Sequence, residues 1–264
     1  VSGSEMDEQA ERGAHHVQSL ARGLAVITAF GPDTPELTLS EVARETGMTR
    51  AAARRFLLTL VDLGYVRTDG KQFALTARVL ELGYAYLSSQ SLPEVAQPHL
   101  ERLSAEVGES SSVSVLDGGF VVYVARAAVT RIMTVGISVG TRFPAFATSM
   151  GQVLLAELEA AALADALAAS GLARLTTRTI TSAERLREQL RVVREQGWAV
   201  VDQELEEGLR SVAAPIRDRA GRVVAAANIA THASRFSAAA LESELLPRLL
   251  LACKGIEGDL RTRR

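Results

Sequence analysis

The strongest constraint on this chain is the order of local signals between Ser40 and Leu75. Ser40 precedes Glu-Val-Ala-Arg-Glu-Thr, a short helix that Ser40 is positioned to N-cap and Gly47 to close. Thr49 caps a second helix that runs to Leu63 and stops at Gly64. Tyr65 to Thr68 then reads as a strand, Asp69-Gly70 as a hairpin turn, and Gln72 to Leu75 as the return strand. Upstream, Leu20, Leu24, Ile27 and Phe30 recur at helical spacing from Val17 to Gly31, ahead of Pro32 and Pro35. Helix, tight turn, helix and hairpin in this order spell a winged helix-turn-helix.

The remainder of the chain has a different grammar. Thr76 caps a helix from Ala77 to Ser89 whose apolar residues, Val79, Leu80, Leu82, Tyr84, Tyr86 and Leu87, surround most of its axis. A helix apolar on several faces needs cover on several sides, which reads as a linker between domains or a contact with a second chain. From Leu92 the pattern is α+β. A helix from Pro93 to Val107 leads to strands at Ser112 to Leu116, Phe120 to Ala125 and Ile132 to Val135. Helices follow at Met150 to Leu158, Ala160 to Ser170 and Ser182 to Gly197. Strands at Trp198 to Asp202, Ser211 to Arg217 and Arg222 to Thr231, and a helix from Ala238 to Leu260, complete it. The expected organisation is a tail over 1–16, a winged helix-turn-helix over 17–76, a linker helix over 77–91 and a second domain over 92–264, its sheet flanked by helices.

Composition narrows the chemistry. Net charge is -2, so any polyanion must be met by a local patch. Thr49 to Lys71 holds Arg50, Arg54, Arg55, Arg67 and Lys71 against Asp62 and Asp69. On the second helix Phe56, Leu57, Leu60 and Val61 form the core stripe, leaving Thr49, Arg50, Ala51, Ala52, Arg54 and Arg55 outward. Arginine can donate twice to a guanine edge and alanine can lie against a thymine methyl. Arg67 and Lys71 flank the wing turn, within reach of phosphates or the minor groove. Arg22 is a weaker phosphate candidate.

No Gly-rich phosphate loop, G-x-S-x-G elbow or H-E-x-x-H helix is present, and the four histidines lack ligand spacing, so neither enzyme chemistry nor a metal or other cofactor is expected. Cys253 sits in an apolar helix and reads as an inert buried thiol. Turn chemistry accounts for the Ser110 to Ser112 run at a strand start. The first 14 residues lack a leader core and no apolar run approaches membrane length, so a cytoplasmic protein is expected. Polar residues in apolar context remain as candidates for a small-molecule site. Thr148, Ser149, Met150 and Gly151 open a helix whose free N–H groups suit an anion, while Asp202, Ser211 and Asn228 punctuate strands.

At this point VQSLARGLAVITAF, LTLSEVARETGMTRAAARRFLLTLVDLGYV, FALTARVLELGYAYLSS, ATSMGQVLLA and VVDQELEEGLRSVAAPI resemble, in order, the IclR family of bacterial transcription regulators. The Ala-rich second helix and LELGYAYLSS are most similar to the group that controls protocatechuate and β-ketoadipate catabolism. Ser40, at the start of the first of the two helices, is a further DNA-contact candidate. The resemblance implies a DNA-reading winged helix, a dimerising linker helix and a GAF-like effector domain. It implies dimers, or dimers of dimers, on double-stranded operators. Family pocket positions fall on Thr148, Ser149, Met150, Asp202, Ser211, Asn228 and Ala230. Family members that bind small keto acids carry serine or cysteine on the last strand. Asn228 and Ala230 stand there instead, which points to an aromatic or dicarboxylic acid, with Arg126, Arg142 or Arg210 as its partner. Regulation of a different carbon-source pathway stays open, as does an enzyme with an accessory nucleic-acid-binding domain.

Overall fold

The computed structural model describes residues 16–31, 34–83, 92–129 and 137–262, in two compact units that divide at Tyr86 and Leu87. In the first unit, helix α1 (Gln18–Thr28) precedes strand β1 (Glu36–Thr38), helix α2 (Leu39–Glu45), helix α3 (Arg50–Asp62) and strands β2 (Val66–Thr68) and β3 (Gln72–Leu75). The three strands form an antiparallel sheet in the order β1-β3-β2. Gly47 takes φ +65° between α2 and α3, where a side chain would be strained.

Three expectations change here. The cap of α2 is Thr38, not Ser40. Thr38 N donates to the Glu41 carboxylate at 2.7 Å, and Glu41 N donates to Thr38 Oγ1 at 3.4 Å. Threonine three residues before glutamate makes a reciprocal capping box, which satisfies two orphan donors where Ser40 would satisfy one. Ser40 lies exposed in the first turn. The α1 stripe is also displaced, because Leu20 and Leu24 are 63% and 50% exposed while Val26 is buried. Apolar residues ring this helix, and α3 covers only the side carrying Val26, Ile27 and Phe30. Finally, β1 has no counterpart in the sequence reading: three residues are too few for alternation to register.

The wing closes through side chains. Asp69 Oδ1 accepts from the amides of Lys71 (2.8 Å) and Gln72 (2.7 Å), which holds its carboxyl below the usual range. Thr76 Oγ1 donates to Gly64 O at 2.6 Å and also receives the Arg78 amide, capping the turn Ala77–Val79. Helical structure continues over 80–83. Residues 84–91 of the expected linker helix lie outside the described residues.

The second unit is built on a six-stranded antiparallel sheet. Its elements are α4 (Leu92–Val107), β4 (Ser110–Asp117), β5 (Phe120–Ala127), β6 (Arg142–Pro144), α5 (Ser149–Ala156), α6 (Ala160–Ser170), α7 (Ala183–Gln196), β7 (Ala199–Asp202), β8 (Leu209–Arg217), β9 (Val223–His232), a turn of helix α8 (Ala238–Ala240) and α9 (Leu246–Thr262). Strand order is β6-β5-β4-β9-β8-β7. The strand expected at Ile132 to Val135 lies outside the described residues; beside β5 runs β6, pairing Val121 with Phe143.

Strand parity sorts the two faces. Val113, Val212, Ala214, Ile216, Ala225, Ala227 and Ile229 pack with α4 and α9. Tyr123, Ala199, Ala213 and Ala226 face α5 and α7. All eight residues of α5 are buried. The Ser110 to Ser112 run belongs to β4 rather than to a turn, and alternates accordingly. Ser111 Oγ donates to Leu100 O of α4 at 3.1 Å, whereas Ser112 Oγ accepts from Arg126 at 3.3 Å on the opposite face. Cys253 is buried in the α4–α9 layer, its thiol pushed up to about 12 by burial. Among the described residues no helix is long and apolar enough to cross a membrane, and no cluster of side chains could hold a metal ion.

Candidate nucleic-acid interface and ligand cavity

On α3, Ala53, Leu57 and Leu60 are buried, which turns Thr49, Arg50, Ala51, Arg54 and Arg55 outward and leaves Ala52 half-buried. Thr49 Oγ1 accepts from Ala52 N at 3.2 Å, so this hydroxyl fixes the helix start. The side chains of Arg50, Arg54 and Arg55 have no hydrogen-bond or ion-pair partner among the described residues, a cationic surface with nothing internal to hold. Arg22 is exposed on α1 and Lys71 on the wing turn. Arg67 differs, since it pairs with Glu36 across the sheet at 3.1 Å. That exposed pair is weak and easily exchanged for another anion.

In the second unit, Thr148, Ser149, Ser211, Asn228 and Ala230 converge on one cavity of about 20 Å³. Thr148 and Ser149 arrive from the start of α5, the other three from β8 and β9. Ser149 Oγ and Ser211 Oγ share a 2.8 Å hydrogen bond. Asn228 is 4% exposed and its Oδ1 has no partner among the described residues. Tyr123, Ile137, Ala147, Val201, Leu205 and Leu209 complete the lining. These apolar walls escaped the sequence reading, which followed polar residues. The alternation of Ala199 and Val201 inward in β7 was the signal available.

Three candidates stand elsewhere. The amide of Gly151 is not free, because Thr148 Oγ1 accepts it at 3.0 Å, and a Cβ here would meet Ala145 O at 2.0 Å. Met150 is buried under the sheet, where Ser114 Oγ donates to its sulfur at 3.3 Å. Asp202 points away from the cavity that Val201 faces. It accepts from Arg210 Nε at 2.7 Å and pairs with Arg178, and the Arg210 bond above all holds its carboxyl below the ordinary range.

The candidate carboxylate partners separate in the same way. Arg210 is consumed by Asp202 and by the carbonyls of Ala233 and Phe236. Arg142 pairs with Asp117 at 2.8 Å and lies over the Phe120 ring. Arg126, which is not in the cavity lining, is half-buried; its guanidinium donates to Ser112 Oγ at 3.3 Å, Tyr123 lies in its field, and desolvation lowers its pKa. Register aligns Arg126, Ser112 and Asn228 across β5, β4 and β9. Behind the cavity, Glu204 is buried, its carboxyl pushed up to about 7 by burial, with Gln152 Nε2 3.4 Å from both oxygens.

Comparison with known proteins places this architecture. The IclR helix-turn-helix domain model matches residues 19–70, and the model for the C-terminal part of the bacterial transcriptional regulator IclR matches residues 84–257. The chain is 46% identical to the Pca regulon regulatory protein of Pseudomonas putida, covering 90% of this chain and 82% of the relative. It is 40% identical to the p-hydroxybenzoate hydroxylase transcriptional activator of Acinetobacter baylyi, covering 89% and 88%. An IclR homolog from Microbacterium hydrocarbonoxydans, solved with 4-hydroxybenzoate, superposes with a TM-score of 0.81 at 27% identity over 93% of this chain and 100% of that one. The named relatives are regulators rather than enzymes, and this chain belongs to the IclR family of bacterial transcription regulators.

Proposed function

We propose that this protein regulates aromatic-acid catabolic genes, reading operator DNA with α3 and the wing and sensing an aromatic acid in the cavity of the second unit. The observation that carries the sensing half is the polar row on one sheet face. Among the described residues, Asn228 offers a buried carbonyl oxygen without a donor, and Arg126 a half-buried cation without a carboxylate. Buried polar groups demand partners, and an uncompensated cation demands an anion. Two strand spacings, about 10 Å, separate these positions, a span suited to a ring that bears a hydroxyl at one end and a carboxylate at the other. Ser149 and Ser211 supply further polar contacts within the apolar walls. The relatives named for the Pca regulon and p-hydroxybenzoate hydroxylase support this ligand class.

Binding of 4-hydroxybenzoate to the full chain tests it. At one hundred times its dissociation constant the acid is expected to stabilise the protein by about 2.7 kcal/mol, roughly 5–10 °C in melting temperature. Ser211→Leu, which fills the cavity, should abolish the shift. Arg126→Gln should weaken binding roughly 10–100-fold through loss of a charge-assisted bond. No shift with 4-hydroxybenzoate, protocatechuate or 3-hydroxybenzoate would end this reading.

The DNA half includes a homodimer, because two half-sites are read by two copies related by symmetry. Exposed Val17 at the N-cap of α1, Leu20 and Leu24 on α1, and Leu80 and Leu82 after the wing, support it as apolar surface in search of cover. Light scattering at micromolar concentration should give twice the chain mass, and a monomer would exclude this assembly.

A further inference from the structure

The cavity is narrow. About 20 Å³ accommodates one water, and an aromatic ring needs several times that, so a wall must move before such an acid enters. The lining residues of β5, β8 and β9 belong to strands paired on both sides, Val201 belongs to edge strand β7, Ile137 precedes β6, and α5 is buried along its whole length. The segment over 203–208, which joins β7 to β8, is different. It carries Leu205 onto the cavity and turns at Gln203 in the left-handed conformation, φ +63°. Thr176 Oγ1 donates to Gln203 O and Thr179 Oγ1 to Glu204 O, both at 2.7 Å. Glu204 reaches from this segment to α5, where Gln152 Nε2 lies 3.4 Å from each carboxylate oxygen. Gln152 is fully buried, its amide also donates to Phe146 O at 3.1 Å, and its Oε1 has no partner among the described residues.

We propose that the 203–208 segment is the movable wall of the effector cavity and that the Glu204–Gln152 contact is the latch that holds it shut. This rests on the effector reading above. Gln152 and the Ile180 amide donate to the Glu204 carboxylate and favour its ionised form, but the cost of burying that charge outweighs these long bonds, so the shut wall is favoured while Glu204 carries a proton. The charged groups around Glu204 are Asp202 beside it, already engaged by Arg178 and Arg210, and Arg174 and Arg185 in the cleft outside. Gln152 and Phe146 bring no charge from the α5 side, and His232 lies against Gly208 at the far end of the segment. Burial raises the Glu204 carboxyl to about 7 with the wall shut, and exposure returns it towards 4.5. The shut wall therefore holds an extra proton between those values. Raising the pH through that window favours the open wall, and the gain levels off above 7.

The test uses the full chain with 4-hydroxybenzoate, whose carboxylate is ionised from pH 5.5 upward. Affinity is expected to rise by up to about tenfold per pH unit towards pH 7 and then to flatten. Glu204→Gln, a neutral isostere, should remove that dependence and slow amide exchange over 204–208 in the ligand-free chain at pH 8. Gln152→Met should speed the same exchange, and His232→Gln should leave the pH dependence intact. Exchange that neither Glu204→Gln nor Gln152→Met alters would overturn the latch, as would identical pH-independent affinity in the parent and Glu204→Gln. Neither result would touch the effector reading. Failure of every aromatic acid to bind, with exchange responding as expected, would remove the effector reading and leave the latch.

Discussion

Replacing Arg50 and Arg54 together with alanine is expected to abolish selective DNA binding by this protein. Both side chains stand on the outward face of α3, four residues apart and therefore on one helix face, and neither is tied to an internal partner among the described residues. A bidentate arginine contact to a guanine edge is worth about 1–3 kcal/mol of discrimination, so the pair accounts for roughly 2–6 kcal/mol, a loss of about 30-fold to more than 10⁴-fold. DNA selected by the parent protein from a random pool gives the measure. The double variant should bind the selected sequence little better than a scrambled one at the same salt, with its melting temperature unchanged because nothing buried is disturbed. Retained preference for the selected sequence would mean that α3 does not face the bases.

Gly151→Ala is expected to destabilise the second unit by about 3 kcal/mol, at the upper end of overpacking costs. The added Cβ would lie 2.0 Å from Ala145 O and 2.4 Å from Ala145 Cα, which are backbone atoms that no rotamer change can move. Ala145 begins the turn Ala145–Ala147, which leads directly into the capped start of α5, so relief has to displace Thr148 and Ser149 as well. Melting should fall by roughly 6–12 °C. The loss should appear without any acid present, which separates a packing role for Gly151 from the ligand contact that its place at a helix start suggests. A variant that melts like the parent but fails to bind 4-hydroxybenzoate would reverse that assignment.

Gly151 also illustrates what the sequence exposes and what it hides. Punctuation was legible: Gly47, Thr49, Asp69-Gly70 and Thr76 each act through local backbone chemistry, and each stands where expected. So were Ser211 and Asn228 as polar interruptions of apolar strands, and with Ala230, which the family resemblance added, they line one cavity. Facts that depend on a distant partner were not legible. Leu20 and Leu24 obey helical spacing, yet the side of α1 that is covered depends on where α3 lies. Asp202 and Ser211 look alike as polar residues near strand ends. Parity sends one to Arg210 and Arg178, and the other to Ser149. Glu204 reads as one more acid in an acidic loop until the fold sets it against buried Gln152.

The two-faced sheet has a consequence for how such a sensor can change. In β4, β8 and β9, neighbouring residues answer to different demands. Val113, Val212, Ala227 and Ile229 carry the load of the core, while Ser112, Ser211 and Asn228, one step along, point to the opposite face, where Ser211 and Asn228 line the cavity. A swap of a few atoms at these latter positions alters shape and polarity in the cavity and leaves the α4–α9 layer untouched. Ligand preference can therefore drift through single substitutions, each within reach of the others and none required to pass through an unfolded intermediate sequence. At the proposed effector site, the repertoire of ligands is set by parity along these strands, and the inherited stability is set by the residues in between.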